Sequence, residues 1–415
     1  MRRKEEGKGD GSHWQPKKKV VNENRPLFPP LPPFSLLFSS FSSTLQFSQK
    51  VSSPLTYFFE LNIELNIERF GDDFIMNKYR VALVGTTGVV GRITRKVLEE
   101  HNLPISEYKL FSSSKSAGSK IVFDGREYVV EELNEHSFDN NKFDYAIFTA
   151  GGKVSEKYAP LATQNKCTVI DNSSFFRMNK DVPLIVPEVN IDDIDNNNGI
   201  IANPNCSTIQ AVVALSPLDK KYKIKRIVYS TYQAVSGAGL GGIQDLESGI
   251  ENYVGNTKHE LKKFPYEIFN NCIPQIDDFV DDRYTKEEHK MIDETRKILK
   301  KPNLPITATT VRVPVFNSHA ESINIEFEND FEINDLIDTL KCAPGIVVKD
   351  DITNNIYPMQ IDTNNQDKVF VGRIRRDYSV KSGINLWVVA DNTRKGAGSN
   401  AVQILEYLVN RNSKK

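Results

Sequence analysis

Between Tyr79 and His101 the chain reads YRVALVG, TTGVVG, RITRKVLEEH: an apolar run, a turn with glycines at 85, 88 and 91, then apolar residues at helical spacing. This order predicts strand, tight turn and helix, a unit that opens a parallel sheet. The constraint is strong, because parallel strands need long crossovers that cover the sheet, so strands and helices must alternate along the chain. They do: strand-like runs recur at Tyr108–Phe111, Tyr145–Phe148 and Thr168–Asp171, with a helix-like stretch at Ser155–Gln164. The fold class expected is α/β, with a doubly wound (Rossmann-type) dinucleotide-binding domain at the front.

The glycine turn carries chemistry as well as geometry. Small residues let a backbone approach a pyrophosphate held at a helix N-terminus, which makes Gly85, Thr87, Gly88, Val89 and Val90 candidate cofactor contacts. A glycine-rich turn alone is often only a turn; the strand before it and the helix after it favour nucleotide binding. The strand Tyr108–Phe111 lacks the terminal acidic residue that would hold a free ribose 2′-hydroxyl. It runs instead into Ser112, Ser113, Ser114, Lys115 and Ser116, hydroxyls and a cation suited to a 2′-phosphate, so NADP is the expected cofactor. The plain alternative is a polar loop.

At 415 residues the length points to two domains or more, and 39% hydrophobic with 26% charged residues fits an ordinary core. A formal charge of -1 implies no nucleic-acid partner, and no apolar run is long enough for a membrane span. The four cysteines, Cys167, Cys206, Cys272 and Cys342, lack metal-ligand spacing and read as reduced thiols of a cytoplasmic protein, with no metal. Residues 1–75, basic at the start, then Pro-rich (LFPPLPPF) and Ser/Phe-rich, have no sustained period and build no core. A plastid or mitochondrial transit peptide, a disordered tail, and translation from upstream of a true start at Met76 compete. The last is favoured, and removal of residues 1–75 is expected to leave activity intact.

Near position 206 the chain reads GIIANPNCSTIQAVVALSPLDK, a strand, a turn and a helix from about Ser207. Cys206 thus stands at a helix N-terminus, where unpaired amides and the macrodipole are expected to lower its thiol pKa and make it a nucleophile. The other cysteines read as small buried hydrophobes.

PNCST, then YQAVSGAG, then RVPVFNSHAES resemble the bacterial type of aspartate-semialdehyde dehydrogenase, over about Lys78 to Asn410. Glyceraldehyde-3-phosphate dehydrogenase has a second cysteine four residues after the nucleophile, where this chain has Gln210; N-acetyl-glutamyl-phosphate reductase has a Gly-Cys-Tyr turn, unlike Asn205-Cys206-Ser207. The resemblance implies reversible, NADP-dependent reduction of L-aspartyl-4-phosphate to L-aspartate 4-semialdehyde through a Cys206 thioester, in lysine, threonine and methionine biosynthesis. It implies that His319 is the general acid/base and that Gln233 is a catalytic residue beside Cys206 and His319. Arg312 would grip the substrate carboxylate, Glu287 its amino group, and Lys290 a phosphate or carboxylate. Asn205 and Arg177 would contact substrate or phosphate, and Ser236, Gly237 and Asn392 the cofactor. Read from the residues alone, Arg312 in the apolar setting TTVRVPV suits an inward-facing strand, whereas Glu287 and Lys290, three apart on KEEHKMIDETRKIL, read as a solvated helix face. Lys115 stands where the family often has arginine, and Ser119 where lysine is usual, which loosens the expected NADP selectivity. A non-catalytic homologue would have lost Cys206, Arg312 or His319; a reductase of a neighbouring acyl phosphate stays open.

The expected layout is an NADP-binding domain at 76–204, an α+β catalytic and dimerisation domain with a mixed sheet at 205–386, and a segment at 387–415 returning to the first domain. Strands are expected at Ile224–Gln233, Ile306–Val313, Ser322–Phe327 and Val369–Arg375, with a last helix at Asn400–Val409. The partners implied are a small-molecule substrate and phosphate, within a homodimer or a homotetramer.

Overall fold

The computed structural model describes residues 79–255 and 260–412. The expectations for residues 1–75 lie outside the described residues.

The first half runs β1 (Tyr79–Val84), α1 (Val89–His101), β2 (Ile105–Ser112), β3 (Lys120–Phe123), β4 (Arg126–Val129), β5 (Glu131–Glu132), β6 (Tyr145–Phe148), α2 (Gly152–Gln164), β7 (Thr168–Asp171) and β8 (Ile200–Ala202). A parallel sheet forms in the order β5-β2-β1-β6-β7-β8, with Leu83 opposite Leu110 on one side and Ile147 on the other. Both faces are covered, which is why β1 reads as an unbroken apolar run. On one face Val97 and Leu98 of α1 join Val81 and Leu83; on the other Ala82, Val84 and Phe148 belong to the larger core. The antiparallel hairpin β3–β4 was not legible in the sequence, since of KIVF and REYV only Phe123 is buried.

The second half runs α3 (Cys206–Tyr222), β9 (Ile224–Gln233), α4 (Leu240–Gly255), α5 (Lys286–Ile298), β10 (Ile306–Arg312), β11 (His319–Phe327), α6 (Ile333–Lys341), β12 (Ile346–Val348), β13 (Val369–Asp377), β14 (Gly383–Ala390) and α7 (Ser399–Asn412). Its mixed sheet has the order β10-β9-β11-β14-β13-β12. On β11 the alternate residues His319, Glu321, Ile323, Ile325 and Phe327 are buried, and the core they enter contains Ile209, Val212 and Val213 of α3. A correction concerns the division expected at 386/387. Strand β14 runs straight through it, pairing His319 with Ala390 and Ile325 with Ile384, so the chain leaves this sheet only after Ala390. A π turn at Arg394–Gly398 then leads into α7, whose Ala401, Val402 and Leu405 pack on the first sheet with α1. No described helix is long and apolar enough to cross a membrane.

Candidate active site

The start of α3 borders a cavity of about 1030 Å³. Asn205 caps the helix: its Oδ1 accepts hydrogen bonds from the Ser207 and Thr208 amides at 3.0 and 3.2 Å, leaving Cys206 as the first helical residue. The returning π turn lies directly over the thiol-bearing residue, since a Cβ placed on Gly396 would stand 2.8 Å from Cys206 Cβ.

The structure corrects the expected sign of the thiol shift. Burial pushes the Cys206 thiol up to about 12 and the Glu287 carboxylate pushes the same way, while Arg312, Arg177 and the Ser207 amide pull it down. Desolvation outweighs the helix start, although Cys206 is only half-buried and borders the cavity.

Glu287 is 5% exposed, so the solvated-face reading fails for it. Its Oε1 accepts from Asn205 Nδ2 at 2.9 Å and from Gln233 Nε2 at 3.1 Å, and its Oε2 from Lys290 Nζ at 3.2 Å. Burial raises its pKa, but Lys290, the bonds from Asn205 and Gln233, and Arg312 overcome this and hold the carboxyl at about 2. Lys290 is also held by Asp277 at 2.7 Å. Arg312 ends β10 with Nη1 donating to the Ala234 carbonyl at 2.6 Å and with Nε buried and without a partner.

His319, at the start of β11, is fully buried. The Ala234 amide donates to its Nδ1 at 3.0 Å, which fixes the neutral ring with its proton on Nε2, and Nε2 has no partner. Burial first, then Arg312, lowers its pKa to about 3, against Glu287 and the Ser318 backbone. Gly237 keeps the space in front of the ring open: a Cβ there would be 3.1 Å from His319 Nε2 and 2.9 Å from Arg312 Nη1.

Of the sequence candidates, Thr87, Gly88, Val89, Val90, Arg177, Asn205, Cys206, Gln233, Ser236, Gly237, Glu287, Lys290, Arg312 and Asn392 line this one cavity. Gly85 does not; its φ of +83° makes the turn. His319 lies behind Gly237, and Ser113 and Lys115 are exposed outside the lining. Ser116 is tied to the cavity wall, with Thr87 Oγ1 3.3 Å from its Oγ and 2.8 Å from Ser112 Oγ. The lining residues Thr87–Val90 at the start of α1 suit a dinucleotide, because a Cβ on Gly88 would meet only Gly85 O, at 3.4 Å, leaving the backbone open to a phosphate. Asn392 Oδ1 accepts from the Ser318 amide at 2.9 Å and its Nδ2 donates to Ser236 Oγ at 3.0 Å, a fixed polar pair on the same wall.

Arg177 is more committed than its sequence setting implied: it donates to the Asn203 and Asn172 carbonyls at 2.9 and 3.0 Å and to Glu294 Oε1 at 3.0 Å. Glu294, missed in the sequence, also accepts from the Asn205 amide at 2.6 Å. Its signal was present, since it follows Glu287 by seven residues and returns to the same helix face. Among the described residues no cluster could hold a metal ion, and the four cysteines are free.

A family profile described as semialdehyde dehydrogenase, NAD binding domain, matches residues 80–197, and one described as semialdehyde dehydrogenase, dimerisation domain, matches residues 215–395. The chain is 52% identical over 335 residues to an aspartate-semialdehyde dehydrogenase of Aquifex aeolicus, covering 80% of this chain and 98% of that protein. It is similar to the crystal structure of aspartate semialdehyde dehydrogenase II of Vibrio cholerae complexed with ASA, with TM-score 0.77, 44% identity, and coverage of 80% and 99%. It is also similar to the Candida albicans aspartate semialdehyde dehydrogenase with NADP, with TM-score 0.64, 25% identity, and coverage of 81% and 100%. With its two sheets, its cysteine at a helix start and these relatives over nearly their whole length, the chain belongs to the aspartate-semialdehyde dehydrogenase family.

Proposed function

We propose that the chain reduces L-aspartyl-4-phosphate to L-aspartate 4-semialdehyde with NADPH, releasing phosphate, through a thioester on Cys206, and that this step serves lysine, threonine and methionine biosynthesis. The observation that carries the reading is the charge pattern around Cys206. Glu287, ionised at about 2, matches an α-ammonium, and Arg312, with its free buried Nε, matches an α-carboxylate. Lys290 and the remaining N–H groups of Arg177 match a phosphoryl group.

Cys206 gives up its thiol proton to the phosphate group as Sγ attacks the acyl carbon, so that the carbon–sulfur bond forms and the carbon–oxygen bond to the leaving phosphate breaks. A bound dihydronicotinamide cofactor supplies the hydride that reduces the thioester. The oxygen of the resulting thiohemiacetal faces His319. Because Nδ1 is engaged by Ala234, the neutral ring offers its Nε2–H to that oxygen, and full proton exchange there requires the Ala234 contact to open. Collapse of the thiohemiacetal frees the aldehyde. The oxidative direction retraces these steps. Gln233 acts through Glu287, to which its Nε2 donates at 3.1 Å.

NADP is favoured over NAD because no carboxylate ends β2, whereas Ser113, Lys115 and Ser116 follow it; the Candida albicans relative with NADP agrees. A homodimer is supported by the dimerisation profile and by the exposed apolar groups Tyr232, Met359 and Tyr357 beside Trp387 on the outer face of the mixed sheet. The test is formation of NADPH from aspartate semialdehyde, NADP and phosphate, with omission of each. Turnover that ignores phosphate, or equals that with a semialdehyde lacking the amino group, overturns the reading.

A further inference from the structure

Glu321 is a buried carboxyl that the proposed reaction does not use. It is fully buried, and neither of its carboxyl oxygens has a hydrogen-bond partner. Two residues along β11 from His319, it points to the same side of the strand. The side chain within its hydrogen-bonding reach is Gln210 of α3, also fully buried, whose Oε1 likewise has no partner. Gln210 follows Cys206 by four residues and so lies one turn below it on the same helix face. Its Nε2 donates to the His319 carbonyl at 3.3 Å.

Glu321 and Gln210 therefore meet in the core with these oxygens unpartnered, between the helix that carries Cys206 and the strand that carries His319. An ionised Glu321 would leave both unsatisfied. A single proton converts one acceptor into a donor and satisfies both. Across the strands Glu321 is paired with Thr231, whose hydroxyl donates to Gln233 Oε1 at 2.9 Å, and with the apolar Val388. The hydroxyl of Tyr229, on β9, is shared with Thr295 at 3.1 Å. From α5 the charged group acting on Glu321 is Glu287, another carboxylate.

We propose that Glu321 is a carboxylic acid in the working enzyme and that its O–H, donated to Gln210 Oε1, is a positioning strut that holds the Cys206 helix against the His319 strand. Glu321 touches no reacting atom. It orients Gln210, whose amide nitrogen in turn holds the first carbonyl of β11. Burial first, then Glu287, lifts the carboxyl well above the usual carboxylate range against the opposing pull of the nearby Gln210 amide, in agreement with this state.

The test compares Glu321→Gln and Glu321→Leu in the full chain. Glutamine supplies an N–H where the acid supplies an O–H, so kcat, KM and the pH profile of kcat should stay within about threefold of the parent. Leucine strands Gln210 Oε1 and loosens the strut, so kcat should fall about tenfold or more with KM little changed, as misplaced catalytic groups lose up to about 10²-fold. The kinetic arm rests on the Cys206 and His319 reading, but an infrared arm does not. The parent at neutral pH should show a protonated-carboxyl band that Glu321→Gln lacks, whatever the substrate proves to be. Absence of that band, or Glu321→Gln as impaired as a dead variant, overturns the proposal, the second by making Glu321 a proton carrier. Unchanged kcat in Glu321→Leu overturns the positioning role. If Glu321→Leu does not fold, the glutamine kinetics and the infrared band decide.

Discussion

Asn205 and Glu287 are joined by a 2.9 Å hydrogen bond, from Asn205 Nδ2 to Glu287 Oε1, while Asn205 Oδ1 caps the helix that begins at Cys206. One side chain therefore ties the Cys206 helix to the carboxylate proposed to hold the substrate ammonium. Asn205→Ala removes an N-cap, which costs about 1 kcal/mol, and also takes one donor from a buried carboxylate. The expected outcome is a lower melting temperature together with a raised KM for aspartate semialdehyde, measured by thermal unfolding and initial rates. A change in stability alone would separate the two roles.

His319→Asn should leave the fold intact and slow turnover by about 10²–10⁴-fold. Its pH signature follows from the lowered pKa. The folded ring resists protonation down to about 3, below its ordinary 6.5, so between these values the unfolded chain binds the extra proton and stability falls as pH drops. Thermal unfolding from pH 7 to pH 5 should therefore lose less in the asparagine variant than in the parent. Glu287 has the opposite origin and the same direction, since its carboxyl is depressed from 4.5 to about 2. Its contribution is present above 4.5 and is lost as pH falls through about 2, a window below the one that reports on His319.

Much of this arrangement was legible because it rests on local rules. The ends of β6, β7 and β9 follow from apolar runs closed by turn residues, and Cys206 at a helix start follows from the Asn-Cys-Ser turn after a strand. Glu294 and Glu321 were hidden for different reasons. In KEEHKMIDETRKIL a carboxylate looks solvated, and only the packing of α5 against Arg177 and Asn205 buries Glu294. Glu321 breaks the alternation of β11 by placing a carboxyl on the side shared with Ile323 and Ile325. The sign of the Cys206 shift was also beyond local rules, because burial and Glu287 come from segments distant in sequence.

Gly396→Ala should be far worse than an ordinary loop substitution. The new methyl would meet Cys206 Cβ at 2.8 Å, forcing the π turn or Cys206 to move. Overpacking of this kind costs about 1–3 kcal/mol. The expected result is a loss of kcat larger than the loss of stability accounts for, read from rates on the folded fraction.

Lys115 tests the cofactor preference. It is exposed in the turn that follows β2, so Lys115→Ala should leave stability unchanged and raise KM for NADP but not for NAD. A phosphate contact of this exposed kind is worth up to about 1 kcal/mol, or a few-fold in KM. Equal effects on both cofactors would remove Lys115 from the 2′-phosphate site.

The central claim is that Cys206 forms the acyl bond. The most direct measurement is phosphate-dependent NADPH formation from aspartate semialdehyde by Cys206→Ala, with folding verified by thermal unfolding. The account predicts a folded protein without turnover; retained phosphate-dependent turnover would contradict the thioester.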